Sequence, residues 1–389
     1  MCEWSTLKPH TIQVHRQILV QEALSTTKLI EHPWPRSRAL LYLARLLPDD
    51  LLPQALELAR ALDPPDNRAI ALAYLARHFS DQQKVELLDE IHQAILQIPD
   101  PAARLWALTT VASQQTYQAA LLTWREILDC LPFELDLHQR ARWLAGLPEV
   151  LLTEAIELIH AIPDPAARAD ALVQLAGCLP GENSASLFSE ALEIVRSLSD
   201  PVERTYWGSA LAISFPESER PSLVQSAFQA ALVASDPLAT VAVISYLAAL
   251  LPASQLTQSL ELAGQLPDPL QRANCLALLA PHLPETQQHA VIAEAFTLVQ
   301  SIPDDWSRAE SLELLCPFLP ANDHPTALEI GRLIQDPWAR SDVLGGLYEC
   351  LEADMKALAF NEALISARSI ESPWGRARAL TSLAAHMAA

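Results

Sequence analysis

The sequence predicts an all-α protein: a right-handed α-solenoid of about eleven helix–turn–helix repeats, each of 32–36 residues. Three observations predict it. A phrase of the form Asp-Pro-x-x-Arg recurs from end to end, as in Asp100-Pro101-Ala102-Ala103-Arg104, Asp164-Pro165-Ala166-Ala167-Arg168, Asp200-Pro201-Val202-Glu203-Arg204, Asp268-Pro269-Leu270-Gln271-Arg272 and Asp336-Pro337-Trp338-Ala339-Arg340. Looser copies surround Arg36, Arg68, Arg308 and Arg376, and Thr240 takes the arginine place in another. A Leu-Pro pair such as Leu179-Pro180 closes most repeats, so that they end near 48, 80, 116, 148, 180, 216, 252, 284, 320, 352 and 388. Seven residues after the arginine stands an aliphatic residue: Leu43, Leu75, Val111, Leu175, Leu211, Leu247, Leu279, Leu315, Leu347 or Leu383.

Each element of one repeat follows from its residues. In the fifth, residues 151–162 carry apolar side chains at helical spacing and form a first helix, which Pro163 ends. Asp164 is an N-cap for the second helix, and Pro165 suits its first position, where no amide hydrogen is needed. The second helix buries Ala169, Leu172, Leu175, Ala176 and Leu179, and Pro180 stops it. Repeats of 32 and 36 residues differ by about one helical turn, so both lengths bury the same face. No repeat can bury its apolar face alone, and stacking is obligatory. The expected organisation is one repeat domain over 1–389, with residues 1–11 as an N-terminal extension and irregular repeats over 81–148.

Composition narrows the function classes. Half the residues are apolar and only 9 are glycine, which suits a folded helical chain. The net charge is −21, with residues 1–48 at +3 and the remainder at −24. An acidic body argues against nucleic acid and anionic membranes as partners, since both recruit Lys and Arg, and it suits a basic protein. The 6 cysteines show no Cys-x-x-Cys spacing and read as small buried hydrophobes in a reducing compartment. No apolar run reaches the length of a membrane span and the N-terminal stretch is polar, so the expected location is cytoplasmic.

The arginine column offers a structural ladder. Fourteen residues before it stands Glu22, Glu90, Glu154, Glu190, Glu294 or Glu362. The expectation is that these carboxylates pair with column arginines (Arg68, Arg104, Arg168, Arg204, Arg272, Arg308, Arg340, Arg376) within a repeat or across the seam. Two departures from regularity are candidate protein-binding places. Trp306, Trp338 and Trp374 stand two residues before the arginine in successive repeats, and Trp34 holds the same place in the first. Such a column can clamp an extended, proline-rich peptide. The irregular third and fourth repeats gather Trp106, Trp124 and Trp143 near Arg104 and Arg140, residue types enriched at interfaces. The last helix ends without a polar cap, so this end either contacts a partner or a second copy, as in a homo-oligomer joined through the solenoid ends, or leaves an apolar edge small enough to tolerate.

No phosphate-binding glycine loop and no His-Glu-x-x-His pattern occurs, and no catalytic residue, metal or cofactor is expected. The Asp-Pro…Arg-Ala opening of the second helix, followed by Leu and Ala at helical spacing, resembles HEAT-type repeats, at a length closer to tetratricopeptide repeats. The resemblance implies a non-catalytic interaction scaffold or adaptor. Two alternatives implied by the same resemblance are a bilin-lyase-like protein that handles a chromophore or other ligand, and a sensor module of a bacterial signalling or defence system.

Overall fold

A computed structural model describes residues 9–112, 156–177 except 158, and 181–387 except 216, 219 and 235. The described residues are all-α, with no strand among them. Their helices are α1 (Pro9–Thr27), α2 (Pro33–Ala44), α3 (Leu52–Arg60), α4 (Pro65–Leu75), α5 (Asp81–Leu96), α6 (Pro101–Ala112), α7 (Pro165–Gly177), α8 (Gly181–Ser197), α9 (Pro201–Ala212) and α10 (Arg220–Ala234). They continue with α11 (Pro237–Leu247), α12 (Ala253–Gly264), α13 (Pro269–Leu279), α14 (Glu285–Ser301), α15 (Asp305–Leu315), α16 (His324–Leu333), α17 (Pro337–Cys350), α18 (Ala353–Ser369) and α19 (Pro373–His386).

The helix starts obey the punctuation. Asp200, Asp236, Asp268, Asp304 and Asp336 each accept a hydrogen bond from a backbone amide in the first turn of the helix that follows. Each cap satisfies an amide that would otherwise lack a partner, worth about 1 kcal/mol. Two of the looser copies lack it, His32 and Pro64 preceding α2 and α4 without a side-chain cap, whereas Asp304 and Ser372 cap α15 and α19. The aliphatic column is the core, with Leu43, Leu75, Leu175, Leu247, Leu279, Leu315 and Leu347 all fully buried. One residue further, Ala44, Ala76, Ala176, Ala212 and Ala280 are equally buried, and their small size lets neighbouring helices approach.

The chain divides into two compact units, one from Met1–Thr116 with Val299–Ala389 and one from Tyr117–Leu298. In the first, the second helices of successive repeats pack side by side: α2 on α4, α4 on α6, α15 on α17 and α17 on α19. In the second, α7, α9, α11 and α13 form the corresponding row. A recurrent contact sets the second helix of one repeat on the first helix of the next, as in α17 with α18, α7 with α8 and α9 with α10.

Inside the first unit, α1 packs on α19 in that same manner, and α2 also packs on α19. Ile30 and Ala39 from the start of the chain share a buried cluster with Ala377 from its end, and Trp374 lies against it. The apolar edge of the last helix, which the sequence leaves uncapped and offers as an assembly contact, is therefore covered by the chain's own first helix. The first and last helices are thus each other's neighbours.

Candidate functional site

Two sets of polar contacts position the surface. Seven of the column arginines, Arg272 and Arg376 excepted, reach back to a carbonyl six residues earlier, at the turn between the two helices of their own repeat. Arg36 donates to Ile30 (2.6 Å), Arg104 to Ile98 (3.0 Å), Arg168 to Ile162 (2.9 Å), Arg308 to Ile302 (2.9 Å) and Arg340 to Ile334 (2.9 Å). Arg68 and Arg204 make the equivalent bonds to Leu62 and Leu198. A helix end leaves carbonyls without partners, and the guanidinium supplies a charge-assisted donor there. The arginine thus ties the start of the second helix to the end of the first.

The glutamates fourteen residues before the column mostly choose another partner. Glu90 pairs with Arg60, Glu190 with His160, Glu362 with Arg332 and Glu22 with Arg368. In each case the partner sits eight residues before a column arginine. Glu90, Glu190 and Glu362 therefore bridge the first helices of two consecutive repeats. Glu22 and Arg368 make the same bridge between α1 and α18, in two parallel bonds of 2.7 and 3.0 Å. The partner position is Gly264 in one repeat, and there Glu294 pairs with the column residue Arg272. A sequence search for glutamate partners within one column misses the eight-residue offset. The signal was present in Arg60, Arg332 and Arg368, which recur at that offset.

The tryptophan column is brought together in the first unit. Trp306 and Trp338 meet edge-to-face with ring centroids 5.4 Å apart, and Trp338 and Trp374 likewise at 5.0 Å. The Arg378 guanidinium lies over Tyr42 at 4.9 Å, over Trp338 at 5.5 Å and over Trp374 at 5.8 Å. Arg38 lies over Trp106 at 4.6 Å and over Trp34 at 5.5 Å. The result is a belt of rings and guanidinium groups on α15, α17, α19, α2 and α6. Trp306 and Trp34 remain nearly half exposed, at 43% and 48%. The indole N–H of Trp374 is buried without an acceptor among the described residues. Arg38, Arg378 and Tyr42 were not among the residues expected from sequence. They stand two and six residues after the column arginine, on the helix face that also carries the tryptophans. Trp124, Trp143, Arg140 and Glu154 lie outside the described residues.

The second unit carries a different surface on the equivalent helices. Between α9 and α11 lies a cleft of about 530 Å3, lined by Val202, Glu203, Tyr206, Trp207, Leu238 and Tyr246 among others. Tyr206 stands at right angles to Trp207, with centroids 5.3 Å apart, and nearly so to Tyr246, at 5.7 Å. The Tyr246 hydroxyl donates to that of Tyr206 at 3.3 Å. This bond, and then burial, push the Tyr246 phenol up to about 12.

Titratable groups elsewhere explain themselves structurally. The Glu313 side chain lies against Gly346, where an added Cβ would come within 2.8 Å of its carboxyl oxygen. Its carboxyl is raised, first by desolvation and then by Asp342, with His386 opposing. His386, at the end of α19, bonds Glu349 at 2.7 Å. Cys275 is buried, and its thiol is pushed up to about 12 by that burial. Cys316 is buried too, and a hydrogen bond with Cys350 raises its thiol and lowers that of Cys350. Among the described residues no helix is long and apolar enough to cross a membrane.

The fold and surface define an all-α protein with a helical-repeat-like build. No protein-family model matches the chain, and no curated protein does either. Among solved structures, that of Ton1535 from Thermococcus onnurineus NA1 matches 96% of this chain and 99% of its own length at 15% identity. Its TM-score of 0.26 describes a superposition too loose to carry an argument.

Proposed function

We propose that the chain is a non-catalytic interaction scaffold, an α-solenoid of about eleven HEAT-like repeats, which holds an extended protein segment on its tryptophan–arginine belt. The observation that carries this reading is the run Trp306–Trp338–Trp374 with Arg378 laid across two of its rings. Tryptophan and arginine are the residue types that most often dominate binding energy at interfaces. Here they are pre-ordered by contact with one another, so little side-chain freedom is left to lose on binding. Exposed indole faces suit a proline-rich segment, whose extended helix is itself pre-ordered.

The test is capture of partners from the native cytoplasm by the wild-type chain and by a Trp34→Ala, Trp306→Ala double variant. The expected result is a stoichiometric partner retained by the first and lost by the second. Equal retention by both removes the belt from the binding surface. Visible absorbance in the purified protein would favour the chromophore-handling alternative over the scaffold.

A further inference from the structure

We propose that the cleft between α9 and α11 binds a small organic cation: an alkylated ammonium with an apolar body. Three aromatic residues line one volume there, with Tyr206 set perpendicular to Trp207 and nearly perpendicular to Tyr246. Ring faces carry partial negative charge and attract cations, most strongly where water is displaced. Among the described residues Glu203 alone is charged in the lining, so the cleft wall includes one carboxylate-bearing side chain. The remaining walls are largely aliphatic, with Val202, Leu238 and Val241 among them.

This composition selects among cations. A primary ammonium brings three N–H groups that need acceptors, and apolar walls leave them short of partners. An alkylated ammonium has few or none to satisfy, and its carbon substituents match the aliphatic walls. Anions are disfavoured by Glu203 and by the chain's net charge of −21. The cleft's volume of about 530 Å3 lies in the usual range for small-molecule sites. The Tyr246 phenol, held at about 12, stays neutral at ordinary pH and keeps its donor on Tyr206.

The experiment is calorimetric titration of the full chain with choline chloride and, separately, with 3,3-dimethylbutan-1-ol, the uncharged carbon analogue of the same shape. Saturable choline binding is expected at millimolar concentrations, about tenfold tighter than the analogue. Glu203→Gln should weaken choline several-fold and leave the analogue unchanged. Tyr206→Leu should weaken choline by about tenfold. Tyr206 is 43% exposed, so that variant keeps its helical circular dichroism. Equal affinity for choline and its analogue overturns the proposal. So does choline binding unaltered in both variants, or the absence of saturable choline binding up to about 20 mM.

Discussion

Two residues before the column position, the first unit carries Trp306, Trp338 and Trp374, whereas the second carries Val202 and Leu238. The setting at these places is alike, a second helix with a side-chain N-cap (Asp200, Asp236, Asp304, Asp336 or Ser372) packed beside its neighbour. Only the side chain differs. Indoles are wide enough to bridge from one helix to the next, and they fill the space between α15, α17 and α19 with ring-to-ring contact. Aliphatic side chains stop short, and a cleft opens between α9 and α11. Three successive tryptophans at this position accompany a filled belt, and Val202 with Leu238 accompany an open cleft, while column leucines are buried behind both. Surface chemistry in this chain is modular: it can vary without disturbing what holds the helices together.

The largest expected effect falls on that shared core. Leu347→Ala in the first unit and Leu211→Ala in the second each remove a buried column leucine, 0% and 4% exposed. Each should cost about 2–5 kcal/mol in urea unfolding, because the cavity is only partly refilled. Similar losses would support a common core, and a negligible loss in one unit would break the comparison at its base. A smaller effect is expected at the surface position itself. Trp338→Ala strips two ring contacts and the Arg378 stack, and should cost about 1–3 kcal/mol. Leu238→Ala, at a residue 61% exposed, should stay within about 0.5 kcal/mol. If both changes proved equally mild, the belt would not be a packed structure.

The helices, their caps and the buried columns could be read from the chain because they depend on local spacing. Asp336 caps α17 whatever lies beyond it, and Leu347 faces the core whatever its neighbour is. The partners of charged groups could not be read the same way. Arg168 donates to a carbonyl six residues behind it, and a backbone acceptor leaves no mark in a sequence. Glu22 recurs at the fourteen-residue spacing, but its partner Arg368 lies at the far end of the chain. Only three-dimensional packing of α1 on α19 brings them together. The tryptophan column was visible as a column, whereas Arg38 and Arg378 gain their meaning from rings on neighbouring helices. The cleft left no mark at all, since it arises where large side chains are missing from one position and Tyr206 and Tyr246 stand at two others.

The smallest effect tests whether the packing of α1 on α19 brings with it an ordinary seam between neighbours. Glu22–Arg368 and Glu362–Arg332 occupy equivalent positions and share a two-bond geometry, so their couplings should be alike in kind. Their settings differ in degree. The Arg368 side chain is 49% exposed against 30% for Arg332, which also bonds Glu329. Exposed pairs couple by about 0.2–1 kcal/mol and are screened by salt. Double-mutant cycles with Glu→Gln and Arg→Met at each pair should place both values in that range at low ionic strength, with Glu362–Arg332 the larger. Both should fall as salt is raised. A measurable coupling at Glu362–Arg332 with none at Glu22–Arg368 would mean that the first and last helices meet through their apolar faces alone. The charge pattern repeated along the chain would then stop short of that junction.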